Sequence, residues 1–288
     1  MTVFLQSVLS GILVGGVYAL IGIGLTIIFG VMRVINFAHG DLLMLGMYAT
    51  WLIFTKTGVD PYVALIATAP LLFLWGAFLQ KVFINRVLNA LPQNQILLTI
   101  GLGLIMSNSM MLLFTSDYRI LTTSYSSSSF DVLGLSVSQP LLYSFLITAA
   151  ITAALFWFLA RTDTGQAIRA TAQDRDAAQL MGINVRWTSI LAFGIGSALS
   201  GAAGALIAPT YYIYPQVGSA FTLKAFVIVV LGGMGSIVGA TLGGLIIGVT
   251  ESLAAIYVAS GLKELVVFVL FLGLLLFKPS GLLGKSRA

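Results

Sequence analysis

Arg161–Arg186 reads RTDTGQAIRATAQDRDAAQLMGINVR, a polar island set between two apolar runs, 139–160 and 187–208, that contain no charged residue. The island holds seven of the chain's 23 charged residues in 26 positions. Each flank has the ~20 apolar residues that an α-helix needs to cross a ~30 Å hydrocarbon core. The island is therefore a loop at one membrane surface, and the fold is a set of spanning helices.

Working outward, the whole chain agrees. It has 288 residues, 59% of them hydrophobic and 8% charged, with a mean hydropathy of +1.04. Soluble domains run near ~25% charged. A porin-like barrel would show ~10-residue alternating segments, and none occurs. We expect an all-α polytopic membrane protein with about eight membrane segments, at 3–30, 36–54, 61–80, 95–115, 139–160, 187–208, a Gly-rich region 223–260, and 263–277. No linker or composition shift divides the chain, so residues 1–288 form a single transmembrane domain with a cytoplasmic loop at about 161–186. The run from Val3 to Phe29 lacks a basic leader and is too long for a signal-peptide core, so it is the first span. No basic stripe interleaved with aromatics points to nucleic acid. Without a cysteine, disulfides and thiolate chemistry are excluded.

Orientation follows from the Lys/Arg bias. With the island inside, Arg33, Lys81, Arg86, Arg161, Arg169, Arg175, Arg186, Lys278, Lys285 and Arg287 fall on the cytoplasmic side. Only Lys56 and Arg119 fall in outside loops, with Lys224 and Lys263 near boundaries. This positive-inside asymmetry places the N-terminus outside and the C-terminus in the cytoplasm. Parity then requires 223–260 to enter from outside and return there. Gly232-Gly233-Met234-Gly235-Ser236 offers the break, predicting a half-helix at about 223–232, a glycine turn inside the membrane and a second helix at about 237–258. Backbone of that kind is tolerated only where it packs in protein or lines a watery cavity. Outside, Thr122–Ser129 (TTSYSSSS) reads as a flexible exposed segment, and Tyr211, Tyr212 and Tyr214 as an interfacial aromatic belt.

Within the island, Asp174 can cap a short helix, Asp176 adds negative charge to its first turn, and Gly182 suits its left-handed end. Ala177, Leu180 and Met181 share one face. A second short helix is expected over Thr164–Thr171, with Ile168 apolar and Arg169 facing water. Asn36, His39 and Asp41 form the most polar group at a span boundary. They fit helix capping and tertiary hydrogen bonding, a gate or pathway role, or a proton relay. Gly235, Gly239 and Gly243, Gly244 and Gly248, and Gly11 and Gly15 give small-xxx-small faces for close helix approach. Glu251, Lys263 and Glu264 fit a structural ion pair at the membrane surface. With one histidine and no carboxylate cluster, a metal site is not expected.

The island also carries a resemblance. Ala172-Gln173-Asp174, then Leu180-Met181-Gly182-Ile183-Asn184, with Arg169 before them, resembles the coupling loop of permease subunits of branched-chain amino acid ABC transporters of the Liv type. Val34-Ile35-Asn36-Phe37-Ala38-His39-Gly40-Asp41 resembles a second signature of that family, although Glu is common at the position of Asp41. Lys224-Ala225-Phe226 with Val230–Ala240 resembles a third, and Lys278–Gly284 a fourth, with Lys278 where Arg is frequent. These blocks span nearly the whole chain in the family's order. Related urea and short-chain amide permeases share much of the pattern.

The resemblance implies a non-catalytic transport subunit in a bacterial inner (plasma) membrane. Its implied partners are a second permease subunit, two cytoplasmic ATPase subunits and an external substrate-binding protein, together with membrane lipid. It binds no cofactor of its own, since ATP belongs to the ATPases. Arg169, Gln173, Asp174, Ala177, Leu180, Met181 and Gly182 are then the coupling residues. Asn36, His39, Asp41, Gly232, Gly233, Gly235 and Ser236 are candidate pathway or gate residues. Gly284-Lys285-Ser286 mimics the end of a phosphate-binding loop, but its required first glycine falls on Pro279. The alternatives are a permease for urea or short-chain amides, an ion-coupled secondary transporter, and a passive channel for a small solute. The secondary transporter lacks the buried carboxylates near midplane that ion coupling usually employs.

Overall fold

The computed structural model describes residues 2–132 and 134–284. Lys285, Ser286 and Arg287, invoked above for topology and the loop mimic, lie outside the described residues.

The helices are α1 (Thr2–Met32), α2 (His39–Thr57), α3 (Pro61–Leu79), α4 (Asn85–Val87), α5 (Pro92–Phe114), α6 (Gln139–Arg161), α7 (Asp163–Gln173), α8 (Arg175–Leu180), α9 (Val185–Ile207), α10 (Val217–Gly232), α11 (Ile237–Ala254) and α12 (Lys263–Phe277). Local chemistry sets their ends. Pro61, Pro92 and Pro140 sit in the first turns of α3, α5 and α6, where a missing N–H costs nothing. The Asp60 carboxylate caps α3 by accepting from Tyr62 N at 2.8 Å. Gly58, with φ of 72°, ends α2 in the left-handed conformation.

Six helices are long and apolar enough to cross a membrane, and α10 is a shorter apolar one. The sixth, Ile237–Phe277, is folded back on itself, so the last two expected segments are distinct: beyond α11 and its π turn (Ala255–Ala259) Ala259 is extended (φ −174°, ψ 145°), a 3-10 turn (Ser260–Leu262) follows, and α12 returns along α11. The expected 36–54 segment is α2, shifted to 39–57 and outside the six. The bundle has an inside and an outside. In the most apolar window of α1, 83% of residues are buried, and in that of α9, 78%. The corresponding shares for α3, α5 and α6 are 28%, 22% and 17%, so these form the apolar outer wall.

Glycines let the inner helices touch. A Cβ on Gly11 would lie 2.6 Å from Val249 Cα, and one on Gly15 2.9 Å from the Gly244 carbonyl oxygen. The α1–α11 seam is thus backbone against backbone, the packing that replaces a hydrophobic driving force between helices in lipid.

One element was absent from the sequence expectation. Ser129–Val132 (β1) and Leu135–Ser138 (β2) form an antiparallel hairpin with Phe130 opposite Val137, and Gly134 adopts a φ of 79° in its turn. The preceding serine-rich stretch is also tied down. Thr123 N donates to Ser126 Oγ at 2.9 Å, and Tyr125 donates its hydroxyl to Asp60 at 2.6 Å. Burial first, and the Asp60 carboxylate second, push the Tyr125 phenol above the ordinary tyrosine range. A run of serines reads as a free loop only when its hydroxyls have no backbone partners.

Candidate functional site

The island folds as two capped helices. Thr162 caps α7 by accepting from Gly165 N at 3.0 Å, and Ile168 is buried while Arg169 is exposed. Asp174 then caps α8: its Oδ1 accepts from Asp176 N and Ala177 N, both at 2.9 Å. Gly182 takes a φ of 85°. Its amide donates to the Gln179 carbonyl, and Ile183 N donates to Ala178 O, both at 3.0 Å. With Ala178 turned inward, Ala177, Leu180 and Met181 face outward. Leu180 is 89% and Met181 82% exposed. Two adjacent apolar side chains in that state form a surface with nothing yet against it. Arg169, Gln173 and Gly182 are exposed beside them. Arg175, Gln179 and Arg186 border a hollow of about 490 Å³ on the same segment.

The Asn36–Asp41 group lies deeper than a span boundary. After α1 ends, the chain leaves its helix at Arg33 (φ 54°) and turns back into the bundle without regular structure until His39. Val34, Asn36, Ala38 and His39 are buried. His39 Nε2 bonds the Ile21 carbonyl at 3.0 Å, and its ring lies beside Gly24. Eight to eleven residues separate that contact from Met32, which at ~1.5 Å per residue is roughly 12–16 Å. Side chains of three other helices supply the hydrogen bonds that a buried irregular backbone requires. Ser200 Oγ donates to His39 O at 2.9 Å, Thr222 Oγ1 accepts from Gly40 N at 3.0 Å and shares its proton between Gly218 O at 3.0 Å and Phe37 O at 3.3 Å, and Thr99 Oγ1 shares its own between Ile96 O at 3.0 Å and Ile35 O at 3.2 Å. Asn36 Oδ1 accepts from Ala38 N at 3.1 Å, whereas Asn36 Nδ2 and His39 Nδ1 are buried with no hydrogen-bond partner among the described residues. The Asp41 carboxylate fits a slot with glycine walls. A Cβ on Gly103 would meet Oδ2 at 2.5 Å, and one on Gly218 would meet Oδ1 at 2.6 Å.

The glycine break occurs where expected along the sequence but at a different height. α10 ends at Gly232, Gly233 and Gly235 take φ of 99° and 89°, and Ser236 Oγ caps α11 by accepting from Gly239 N at 3.0 Å. The turn lies beside Gly30, near the C-terminal end of α1, rather than part-way along it. A Cβ on Gly30 would find Ala172 Cβ at 3.7 Å and Gly235 Cα at 3.9 Å. The tail closes this end as well: Leu282 N and Leu283 N donate to the Leu231 and Gly232 carbonyls at 2.8 and 3.0 Å. A C-terminal strap thereby satisfies acceptors that a helix end leaves open. Gly232–Ser236 and Asn36–Asp41 lie at different heights and are linked through α10 and through α1, which carries Gly30 beside the turn and Ile21 and Gly24 beside His39.

A second polar cluster contains the expected Glu251–Lys263 ion pair and extends beyond it. Glu251 accepts from Lys224 Nζ at 2.9 and 3.0 Å and pairs with Lys263 at 3.0 Å. Lys224 also donates to Tyr18 OH at 3.1 Å, which bonds Tyr211 OH at 3.1 Å. The sequence reading paired Glu251 with its neighbours but left Lys224 at a boundary. A lysine in an apolar helix needs a partner, and that requirement was the signal available.

Residues 7–276 match the family described as branched-chain amino acid transport system, permease component. Over 299 residues the chain is 34% identical to the high-affinity branched-chain amino acid transport system permease protein BraD of Pseudomonas aeruginosa, covering 99% of this chain and 97% of that one. It is 33% identical over 297 residues to LivH of Salmonella typhimurium, covering 99% and 96%. With Escherichia coli LivH the identity is 32% over 300 residues, again covering 99% and 96%.

Proposed function

Because the chain belongs to the family of branched-chain amino acid transport system permease components, we propose that α8 is the handle by which separate ATPase subunits move it. It is a multi-pass membrane subunit of an ABC transport system and not itself an ATPase. In our reading the partners are a second, different permease subunit, two ATPases at the island end and a substrate-binding protein at the opposite end. The N-terminus is outside and the C-terminus cytoplasmic, in a bacterial inner membrane. Branched-chain amino acids are the cargo.

The observation that carries the coupling role is the meeting at Gly30. Ala172 of the island and Gly235 of the turn approach the same point on α1. A displacement of α7–α8 by ATPase closure would press on the turn at the foot of α10. The other end of α10 holds Thr222 and Gly218 against the start of α2. Asn36, His39 and Asp41 would then be re-aimed as α10 shifts. Interior packing transmits such steps because it has discrete arrangements rather than continuous give.

The test is ATP-driven uptake by the reassembled complex in proteoliposomes. Uptake of leucine, isoleucine and valine that requires ATP and the binding protein is expected. Uptake driven by a proton or sodium gradient without the ATPases would overturn the reading, and uptake restricted to urea or amides would reassign the cargo.

A further inference from the structure

Tyr118, the Tyr211–Tyr214 loop, the first turns of α10 and the start of α12 enclose a cleft of about 260 Å³ at the end of the bundle away from the island. We propose that this cleft is a binding site for a free α-amino acid as its zwitterion, with Lys263 holding the carboxylate and Glu264 the ammonium. The inference rests on reading the chain as an amino-acid permease.

The charges in the cleft are not interchangeable. An ammonium has three donors. Those of Lys224 are committed to Glu251 and Tyr18, so Lys224 fixes Glu251, and Glu251 in turn fixes Lys263. Lys263 gives one bond to Glu251 and keeps two donors. Glu264, the next residue, is exposed and makes no ion pair among the described residues. A cation with free donors and an unpaired carboxylate therefore line the same cleft. Lys224, Lys263, Glu251 and Glu264 sum to zero charge, and a zwitterion leaves that sum unchanged, whereas a simple acid or amine does not.

The remaining wall suits the rest of such a ligand. Tyr118 lies 4.8 Å from Tyr214 and 6.0 Å from Tyr212, ring centre to ring centre. Tyrosine faces cover aliphatic side chains and attract an ammonium. The volume is slightly below the roughly 300–1,000 Å³ of pockets for drug-sized ligands, which restricts the occupant to a small solute. Val217, Phe221 and Lys224 line the cleft, while Gly218 and Thr222, on another face of the same helix, hold the start of α2. Occupancy would therefore bear directly on α10.

The experiment uses the complete transporter in lipid nanodiscs, without binding protein or ATP, and measures equilibrium binding of radiolabelled leucine. Saturable binding is expected. Leucinamide, lacking the carboxylate, and 4-methylpentanoate, lacking the ammonium, should each compete at least about tenfold more weakly, as the loss of one charge-assisted hydrogen bond implies. Glu264→Gln should weaken leucine about tenfold while leaving 4-methylpentanoate unchanged, a selectivity shift that a structural role for Glu264 would not produce. Absence of saturable leucine binding, or unchanged leucine affinity in Glu264→Gln, overturns the proposal. ATP-driven uptake by the same preparation separates the two readings. Normal branched-chain amino acid uptake without cleft binding sinks the cleft alone, and no such uptake sinks the transport reading too.

Discussion

Gly24 and Gly196 face each other across α1 and α9 so closely that a Cβ on either would lie 2.7 Å from the other's carbonyl oxygen. Both helices are also packed from other sides, since a Cβ on Gly22 of α1 would meet Ile228 of α10 at 2.5 Å and one on Gly201 of α9 would meet Leu72 of α3 at 2.6 Å. Overfilling a packed interior costs about 1–3 kcal/mol or more. Gly196→Val is expected to lower the melting temperature of the detergent-solubilised subunit or prevent its accumulation. Gly273→Val, at a site with nothing within 4 Å, should do neither.

Asp174→Ala removes both cap bonds of α8, worth about 1 kcal/mol of local helix stability. Asp174 is exposed, so the bundle's melting temperature should hold while ATP-driven uptake falls. The same pattern is expected for Gly182→Val, where the positive φ alone penalises a side chain, by roughly 1–2 kcal/mol. Gly182→Asn should retain most activity. Full uptake by Asp174→Ala and Gly182→Val together would remove the mechanical role of α8.

Leu180 and Met181 contribute nothing to the subunit's own core. Replacing both by serine should leave folding unchanged and weaken retention of the ATPases in affinity purification. Undiminished retention would place the contact elsewhere.

Glu251 holds two lysines, and Lys224 is only 13% exposed. Glu251→Leu should therefore destabilise the fold by about 3–5 kcal/mol, because it leaves a buried ammonium unpaired. Lys224→Met should cost less, since Lys263 still pairs with Glu251. The double variant Lys224→Met, Glu251→Leu should melt above the Glu251→Leu single variant, a comparison that thermal unfolding makes directly.

The chain has no cysteine, so single cysteines report sidedness cleanly. Cysteines at 173 and 284 should label from the cytoplasmic face and one at 124 from outside. Labelling of position 284 only from outside would overturn the topology.

The sequence made some of this legible and hid the rest for physical reasons. Caps and breaks are local chemistry: Asp174, Gly182 and the Gly232–Ser236 break could be read because a few adjacent residues determine them. Depth is not local. Nothing in Val34–Asp41 says that the chain re-enters the bundle before α2 begins, because the hydroxyls that permit it belong to Thr99, Ser200 and Thr222, far away in sequence. The same holds for the Gly turn, whose height is set by Gly30 and Ala172. Glu251 could be matched with nearby Lys263, but its bond to Lys224 crosses from α11 to α10. The hairpin was missed because the Phe130–Val137 pairing is short and sits among helices.

The α1–α11 seam has a consequence for biosynthesis. α1 is made before its partners: it presents Gly11 and Gly15 to Gly244–Val249, which are made more than two hundred residues later. Its other inner neighbour, α9, also comes from the second half of the chain. Until those segments are made, α1 has lipid or a chaperone where its permanent neighbours will be. Nascent chains arrested before Ile237 should therefore be cleared by membrane proteases, whereas arrest after Phe277 should yield a protected product.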